Sequence, residues 1–291
     1  MALRAMKTLA AAGDRVRPPV PGVVVLIYHR VGGGSGTEVD LPAQTFDEQM
    51  AWLAASGRVV SLDDAVDLLV AGADGADAAD VATGDAPGSD PQPDPEHHPD
   101  DGPIVVTFDD GTADLAEVAT PILVRHEVPS TVYLATRYAD EGIDFPDDGT
   151  PLSWAAVRDM AATGLVTFGS HTHGHLLLDR LNPAAAVDEL DRSKDLIEQH
   201  TGAPAHHFAY PKAVAASDEV EPLVRARYRS AALGGNRPNA YAGTDVHRLS
   251  RTAVQVSDGA AYFVRKAYGG MALEDSLRRG LNRVRYRTSV G

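Results

Sequence analysis

Residues 106–115, VTFDDGTADL, place two adjacent carboxylates at the end of an apolar segment. The run Ile104–Phe108 is apolar and β-branched, which predicts a buried strand, and Asp109 and Asp110 follow it directly. Neighbouring carboxylates repel each other, and burial costs them their hydration. A bound cation would offset both costs. The ordinary alternative is an N-cap and a turn residue before a helix that begins near Ala113.

Strand and helix patterns alternate on both sides of this segment. Apolar and β-branched runs predict further strands at residues 23–28, 131–136, 165–168, 207–210 and 230–233. Helices between them are indicated by the N-cap candidates Ser61 and Ser153 and by Pro183 in the first turn of a long helix. This alternation is typical of a parallel sheet, and at this chain length it favours a closed or nearly closed β/α barrel. Chemistry in such barrels lies at the C-terminal ends of the strands.

The composition limits what the chain can be. It has 291 residues, of which 44% are hydrophobic, and this is enough for one barrel-sized core. There is no cysteine, which excludes disulfides, thiolate catalysis and cysteine-ligated zinc. Any metal ion would therefore be bound by histidine, aspartate or glutamate. No apolar run approaches the roughly 20 residues that span a bilayer, so no transmembrane segment is predicted.

The charge is unevenly distributed along the chain. The segment 71–102 holds nine acidic residues and no Lys or Arg, and it accounts for nine of the 15 net negative charges. Its Ala, Gly, Asp and Pro composition predicts a disordered acidic loop inserted into a single domain, which we place at residues 21–260. Because no broad basic surface is implied, nucleic-acid binding is disfavoured.

Two basic segments flank this domain. Residues 1–20 are predicted to form a flexible arm, because they lack the continuous apolar core and the cleavage site of a signal peptide. This favours a cytoplasmic or membrane-peripheral location, with export to the cell envelope as the open alternative. Residues 261–291 are predicted to be a basic C-terminal extension, either a solvated helix or a contact with an anionic surface.

The segment GSHTHGH, residues 169–175, supplies candidate metal ligands after a predicted strand. His171 and His175 are four residues apart in one short loop, a spacing that lets two imidazoles bind one metal ion. Thr172 rules out the H-E-x-x-H zincin pattern, which needs glutamate at that position. A polar loop that happens to be rich in histidine is the alternative.

The two motifs together indicate a metal site more strongly than either one alone. They supply three candidate ligands, which are Asp110, His171 and His175. One carboxylate and two imidazoles form a three-ligand set with open positions, as in catalytic zinc sites. A divalent ion there would lower the pKa of a water molecule towards roughly 7 and polarise a carbonyl group. Asp109 would then be free to act as the base.

The segment FAYPKA, residues 208–213, and the end of the first strand supply the remaining candidates. Tyr210 and Pro211 make the turn rigid, and the backbone N–H of Lys212 is expected to face a developing oxyanion. A plain strand–turn connection is the alternative. His29 ends the first strand, at the mouth that a barrel would share with the carboxylates. We expect it to be the general acid for a leaving amine, unless it is a satisfied core histidine.

Three motifs in this order resemble the polysaccharide deacetylase family: TFDDG at 107–111, HTxxH at 171–175 and FAYP at 208–211. The likeness to this family, also called NodB homology or carbohydrate esterase family 4, runs from about residue 24 to 254. It implies a deformed (β/α) barrel, which we take as seven-stranded. It also implies a metal-dependent hydrolase that removes acetyl groups from N-acetylated sugars in a polysaccharide or glycan. LIYH at 26–29 resembles the permuted branch that includes poly-N-acetylglucosamine deacetylases.

The resemblance implies a role for each candidate residue. Asp109 is the expected base. Asp110, His171 and His175 are the expected ligands of a divalent ion, with Zn²⁺ preferred over Co²⁺ or Ni²⁺. The implied partner is a carbohydrate polymer or oligosaccharide. An O-acetyl esterase, an amide hydrolase acting on another substrate in the same site, and a non-catalytic carbohydrate-binding protein are the alternatives.

The third motif departs from the family pattern at two places. Ala209 stands where most members have an arginine that orients the base. We expect Arg251 to replace it, with Arg248 as the alternative, and a surface ion pair would be the ordinary role of either. Lys212 and Ala213 replace the Tyr-Gly that usually follows FAYP, which is expected to change what lines the groove.

Overall fold

The fold is built on a curled sheet of parallel strands. The structure is a computed structural model, and it describes residues 2–16, 18–73, 102–145 and 149–274. The strands are β1 Gly22–Tyr28, β2 Arg30–Val31, β3 Asp40–Leu41, β4 Ile104–Phe108, β5 Ser130–Leu134, β6 Val166–Ser170, β7 His207–Ala209, β8 Ser230–Ala232, β9 Asn239–Ala240 and β10 Thr252–Ala253. The predicted acidic insert at 71–102 lies outside the described residues except at its two ends.

The main sheet follows the order β10-β1-β4-β5-β6-β7-β8, and neighbours along this path are parallel. Its two edges approach each other, because the Leu233 N–H donates to the Leu249 carbonyl and the Gly235 N–H donates to the Arg251 carbonyl, each at 2.8 Å. Strand β9 adds antiparallel to β1. The prediction of a deformed, seven-stranded (β/α) barrel in a single domain is therefore confirmed.

Helices cover the outer face of this sheet. They are α1 Ala2–Val16, α2 Ala43–Ala55, α3 Leu62–Ala73, α4 Thr120–Arg125, α5 Thr136–Glu141, α6 Trp154–Ala162, α7 Pro183–Thr201, α8 Glu221–Arg225 and α9 Gly259–Ala267. The predicted caps are present, since the Ser153 hydroxyl accepts from the Ala156 N–H at 3.1 Å and that of Ser61 accepts from the Asp64 N–H at 3.1 Å. No described helix combines the length and the apolarity needed to cross a bilayer.

Strands β1 and β4 are buried along their whole length, as expected for a parallel sheet that is covered on both faces. Alternate side chains pack in two different clusters. Val25 and Val105 pack with residues of other strands and of helix α3, whereas Leu26 and Val106 pack with residues of α2, α4 and α6. This two-residue period carries Asp109 into the barrel interior at the end of β4.

Two predicted elements differ from the structure. Thr136 does not end a strand but begins helix α5, because β5 stops at Leu134. The helix predicted to begin near Ala113 is instead a π-helical turn, Leu115–Ala119, followed by α4. Pro121 explains the irregularity, since proline has no N–H with which to continue the α-helical hydrogen bonds.

The N-terminal segment forms helix α1, Ala2–Val16, whereas the sequence predicts a flexible arm over residues 1–20. Helix α1 brings Lys7 to a fully buried position, where its ammonium contacts Asp258 and, at 3.3 Å, Glu274. Lys266 of α9 approaches the same two carboxylates, at 2.8 and 3.4 Å. The sequence did not indicate this because the partners of Lys7 lie about 250 residues away.

The first half of the C-terminal segment also packs on the folded domain. The predicted extension at 261–291 begins inside helix α9, whose Phe263 and Ala267 are buried. Chain residues 268–274 continue against α1, with the Met271 N–H donating to the Asp14 carboxylate at 2.9 Å. Residues 275–291 lie outside the described part of the chain. The domain boundaries themselves stay a prediction.

Candidate active site

A cavity of about 430 Å³ lies at the C-terminal ends of the strands, where the barrel rule places chemistry. Its ionisable lining residues are His29, Asp109, Asp110, His171, His175, Lys212 and Arg251. These residues follow or precede β1, β4, β6, β7 and β10. A larger cavity, of about 920 Å³, opens at the starts of β1 and β4, but its lining has Asp14 as the sole acidic residue and no histidine. The smaller cavity is therefore the candidate site.

Three potential ligands converge in this cavity. The Asp110 Oδ1 atom lies 3.4 Å from Nε2 of His175 and 3.7 Å from Nε2 of His171. The ligand atoms of all three residues lie within 4.8 Å of one another. The predicted ligand set is thus brought together, although its members come from two different strand ends.

The backbone of these ligands is held in an unusual conformation. Asp110, Thr172 and His175 have φ angles of 73°, 62° and 56°, in the left-handed region that non-glycine residues rarely adopt. Such residues cost of order 1 kcal/mol each and persist where the surroundings hold them. Here the Ala135 N–H donates to the Asp110 carbonyl at 3.0 Å. The left-handed turn at Asp110 directs it away from its neighbour Asp109.

The histidines present the correct nitrogen for a metal ion. Nδ1 of His171 donates to the Ala209 carbonyl at 2.8 Å, which leaves the lone pair of Nε2 free on the side of Asp110. Burial, followed by the charge of His171, lowers the pKa of His175 to about 4, so His175 is neutral at pH 7. A neutral imidazole is the form that binds metal. One carboxylate and two imidazoles with converging atoms fit a divalent ion.

Asp109 is paired with Arg251. The two guanidinium nitrogens donate to the two carboxylate oxygens at 2.6 and 2.8 Å, and both side chains are buried. Burial alone would raise the pKa of Asp109, but the charge of Arg251, followed by that of His171, outweighs it and holds the pKa well below its usual range. Arg251 in turn donates to the Leu233 carbonyl at 3.1 Å and lies 4.9 Å from the Tyr133 ring centre.

The structure distinguishes the two arginine candidates. Arg248 is exposed and donates from Nε to Glu221 at 3.1 Å, on the outer surface of the barrel. Arg251 is three residues further on and contacts Asp109 inside. Only the second can act on the carboxylate of Asp109 directly.

The remaining predicted residues divide into two groups. His29 lines the cavity, and its buried Nδ1 has no hydrogen-bond partner in the described part of the chain. Lys212 also lines the cavity. Tyr210 does not: its ring is buried on the other face of β7, 5.0 Å from the Phe208 ring, because side chains alternate along a strand. Its contribution to the site is limited to the backbone of the turn.

The loop after β8 was not predicted as part of the site. Gly234, Gly235 and Asn236 line the cavity, and the Asn236 side chain donates to the Met271 carbonyl at 3.3 Å. This GGN segment directly follows a predicted strand, so the rule that chemistry gathers at strand ends could have indicated it.

The comparisons with known proteins agree with this geometry. Residues 96–230 match the family model described as polysaccharide deacetylase. YxkH of Bacillus subtilis (strain 168), which carries a polysaccharide deacetylase name, is 22% identical over 187 residues, which are 64% of this chain and 55% of that protein. The chain therefore spans about half the length of this curated relative.

Solved structures show the same fold. The Streptococcus pyogenes deacetylase PplD, in complex with acetate, superposes with a TM-score of 0.66 at 18% identity and covers 86% of this chain and 99% of its own. IcaB from Ammonifex degensii gives a TM-score of 0.64 at 21% identity, with 86% and 98% covered. At these identities the likeness establishes the fold alone. Residues 96–230 thus match the polysaccharide deacetylase family, and the solved structures extend the likeness in fold over most of the chain.

Proposed function

We propose that this chain is a metal-dependent deacetylase that hydrolyses the acetamide of N-acetylated sugars in a polysaccharide or glycan and releases acetate. The observation that carries the proposal is the Asp109–Arg251 pair next to the Asp110, His171 and His175 cluster in one cavity. An ionised base beside a three-ligand set is what hydrolysis of an unactivated amide requires.

Asp110, His171 and His175 would hold the metal ion, with Zn²⁺ as the first candidate and Co²⁺ or Ni²⁺ as alternatives. When bound, a divalent ion supplies Lewis acidity to the acetyl carbonyl and lowers the pKa of water. The chain supports the ligands through the Ala209 carbonyl, which fixes the tautomer of His171.

Asp109 would take the proton from the attacking water. Its Oδ2 atom lies 4.0 Å from Nε2 of His171, so the base stands beside the ligand cluster. Arg251 keeps Asp109 ionised and fixes the plane of its carboxylate through two parallel hydrogen bonds. The oxygen lone pairs not used by Arg251 stay available for the water.

His29 would complete the reaction as the general acid. Water adds to the carbonyl carbon, the C–N bond breaks, and the departing sugar amine takes a proton from His29 while acetate leaves. The backbone N–H of Lys212, in the turn Pro211–Ala213, would donate to the oxyanion of the tetrahedral state. Both residues line the same cavity.

Replacing the base tests the proposal most directly. Asp109→Asn keeps the shape of the side chain but removes its basicity, so acetate release from N-acetylglucosamine oligomers should fall by about 10²–10⁴-fold. Metal content, measured by elemental analysis, should stay near the wild-type value. Asp47→Asn, which changes an exposed carboxylate on the outside of the barrel, is the matched control and should retain activity. Full activity of Asp109→Asn would refute the role of Asp109.

The choice of substrate is decided by a parallel assay. Acetate release is measured from chito-oligomers and from acetylxylan with the same metal-loaded protein. Release from chito-oligomers supports the amide reaction, and release from acetylxylan alone would replace it by an O-acetyl esterase. A protein that contains metal and binds glycan but releases no acetate would be a binding module instead.

A further inference from the structure

Lys212 places an ammonium-bearing side chain on the wall of the catalytic cavity. The residue is exposed, and none of the described acidic side chains lies within ion-pair distance of it. Lys194 on α7, by contrast, pairs with Glu198 at 2.8 Å. The charge of Lys212 is therefore available to a molecule that enters the cavity.

The other charges of the cavity are compensated within the protein. Asp109 is neutralised by Arg251 through two hydrogen bonds. Asp110 faces His171 and His175, and a divalent ion at this cluster would leave one positive charge after Asp110 is counted. Lys212 adds a second. The wall that meets the substrate is thus cationic, although the whole chain has a net charge of −15.

The backbone at this position is strained, as is common at functional sites. Lys212 has φ 54° and ψ 20°, and the following Ala213 has φ 55°. Glycine adopts this left-handed conformation freely, whereas a residue with a Cβ pays of order 1 kcal/mol. Strain of this kind concentrates at functional sites, where a side chain must be held in a set direction.

We propose that Lys212 recognises an anionic substituent, a carboxylate or a phosphate, carried by the glycan close to the acetylated sugar. This inference rests on the proposed function, because it takes the cavity as the glycan site. The same charge would disfavour a glycan whose neighbouring sugars already bear protonated amines. Recognition would act at short range, since a protein of net charge −15 does not attract a polyanion from a distance.

The test compares single sugars that differ in charge. N-acetylglucosamine is the neutral probe, N-acetylmuramic acid carries a carboxylate and N-acetylglucosamine 6-phosphate carries a phosphate. Binding is followed by NMR titration of Zn²⁺-loaded protein, the state in which the cavity wall is cationic. Wild type should bind one or both anionic probes about two- to fivefold more tightly than the neutral one, and the preference should shrink at high salt. The probe with the larger preference identifies the anionic group.

Three variants at one position separate charge from shape. Lys212→Met should lose the preference, Lys212→Arg should keep it, and Lys212→Glu should favour N-acetylglucosamine over the anionic probes. None of the replacements is glycine, so the backbone cost at φ 54° is similar in all. Arg125→Met, which removes one charge from the exposed end of α4, should bind like wild type.

Two results would overturn the proposal. One is equal binding of neutral and anionic probes by wild type, and the other is a preference that survives in Lys212→Met. Failure of the proposed function is a separate outcome. If metal-loaded protein releases no acetate but the Lys212-dependent preference is present, the hydrolase assignment falls and the anion site stands.

Discussion

Arg251 reaches Asp109, the proposed base, from 142 residues further along the chain. We propose that it takes the role of the arginine that most family members have at the position of Ala209. The pair is buried, and its guanidinium also packs against the Tyr133 ring. The charge that keeps the base ionised is therefore supplied by a strand edge rather than by a neighbouring motif.

Removing this charge should change the pH dependence of activity. In wild type the pKa of Asp109 lies below its usual range, so Asp109 contributes stability above the unfolded pKa of about 4, and this contribution is lost as the pH falls below that value. In Arg251→Gln the effect of burial prevails and the pKa rises. The acidic limb of the kcat/KM profile should then move to higher pH.

A second variant distinguishes a loss of the arginine's role from unfolding of the protein. Leaving a buried carboxylate unpaired costs about 3–5 kcal/mol, whereas Arg251→Lys keeps the charge and loses the two-pronged geometry. Arg251→Lys should lower kcat about 10-fold or more, with the acidic limb near its wild-type position. Arg248→Gln, which removes a surface pair with Glu221, is the control and should change neither quantity. An unshifted acidic limb in a folded Arg251→Gln would contradict the assigned role.

His29 should matter only where the leaving group needs a proton. His29→Asn should reduce acetate release from N-acetylglucosamine oligomers by about 10²-fold, because the amine leaves poorly without protonation. Hydrolysis of 4-nitrophenyl acetate should change much less, since phenolate leaves without a proton. Equal losses on the two substrates would show that His29 serves binding or folding instead.

The turn between β7 and α8 carries backbone strain at two consecutive residues. Lys212 and Ala213 are consecutive left-handed residues, with φ of 54° and 55°. The Ala213 N–H donates to the Tyr210 carbonyl at 2.9 Å, and this bond helps to hold the turn. The strain is stored where the oxyanion donor is proposed to lie.

Glycine at Ala213 should relieve part of this strain. Ala213→Gly is expected to raise the free energy of unfolding by about 0.5–1 kcal/mol, because glycine has no Cβ to clash in the left-handed region. The control is Ala51→Gly, in the exposed middle of α2, which should lower stability by about 1 kcal/mol. Urea denaturation measures both. A loss at Ala213 as large as that at Ala51 would argue against strain at the turn.

At the scale of the whole molecule, a buried charge cluster joins the two ends of the described chain. Lys7 of α1 and Lys266 of α9 share the carboxylates of Asp258 and Glu274, and all four side chains are buried. The cluster is neutral as a set. Burial lowers the pKa of Lys266, while Asp258 and Glu274 act in the opposite direction.

Unbalancing this cluster should destabilise the fold. Lys7→Met leaves two carboxylates facing one ammonium, and the expected cost is about 3–5 kcal/mol in the free energy of unfolding. Lys7→Met combined with Glu274→Gln restores neutrality and should recover part of the loss. Chemical denaturation gives both values. A single variant as stable as wild type would mean that α1 is not anchored through Lys7.

Much of the barrel and its site could be predicted from local patterns. Strand β4 and the strand before HTxxH are short apolar runs whose ends carry the chemistry, and parallel topology brings such ends together. This is why Asp110, His171 and His175 could be grouped before their distances were known. The caps Ser61 and Ser153 were also predictable, because a cap depends on residues within one helical turn.

What the sequence by itself determined, then, is the information that short-range rules carry: the period of the strands, the caps, and the ligand types at strand ends. Tertiary structure alone decided which arginine reaches Asp109, which face of β7 Tyr210 occupies, and that α1 is anchored by Lys7. Each of these features depends on contacts between residues that are distant in sequence, or on which face of a strand packs against the helices. Pairing energies of this kind arise only once the barrel closes, so no local pattern records them.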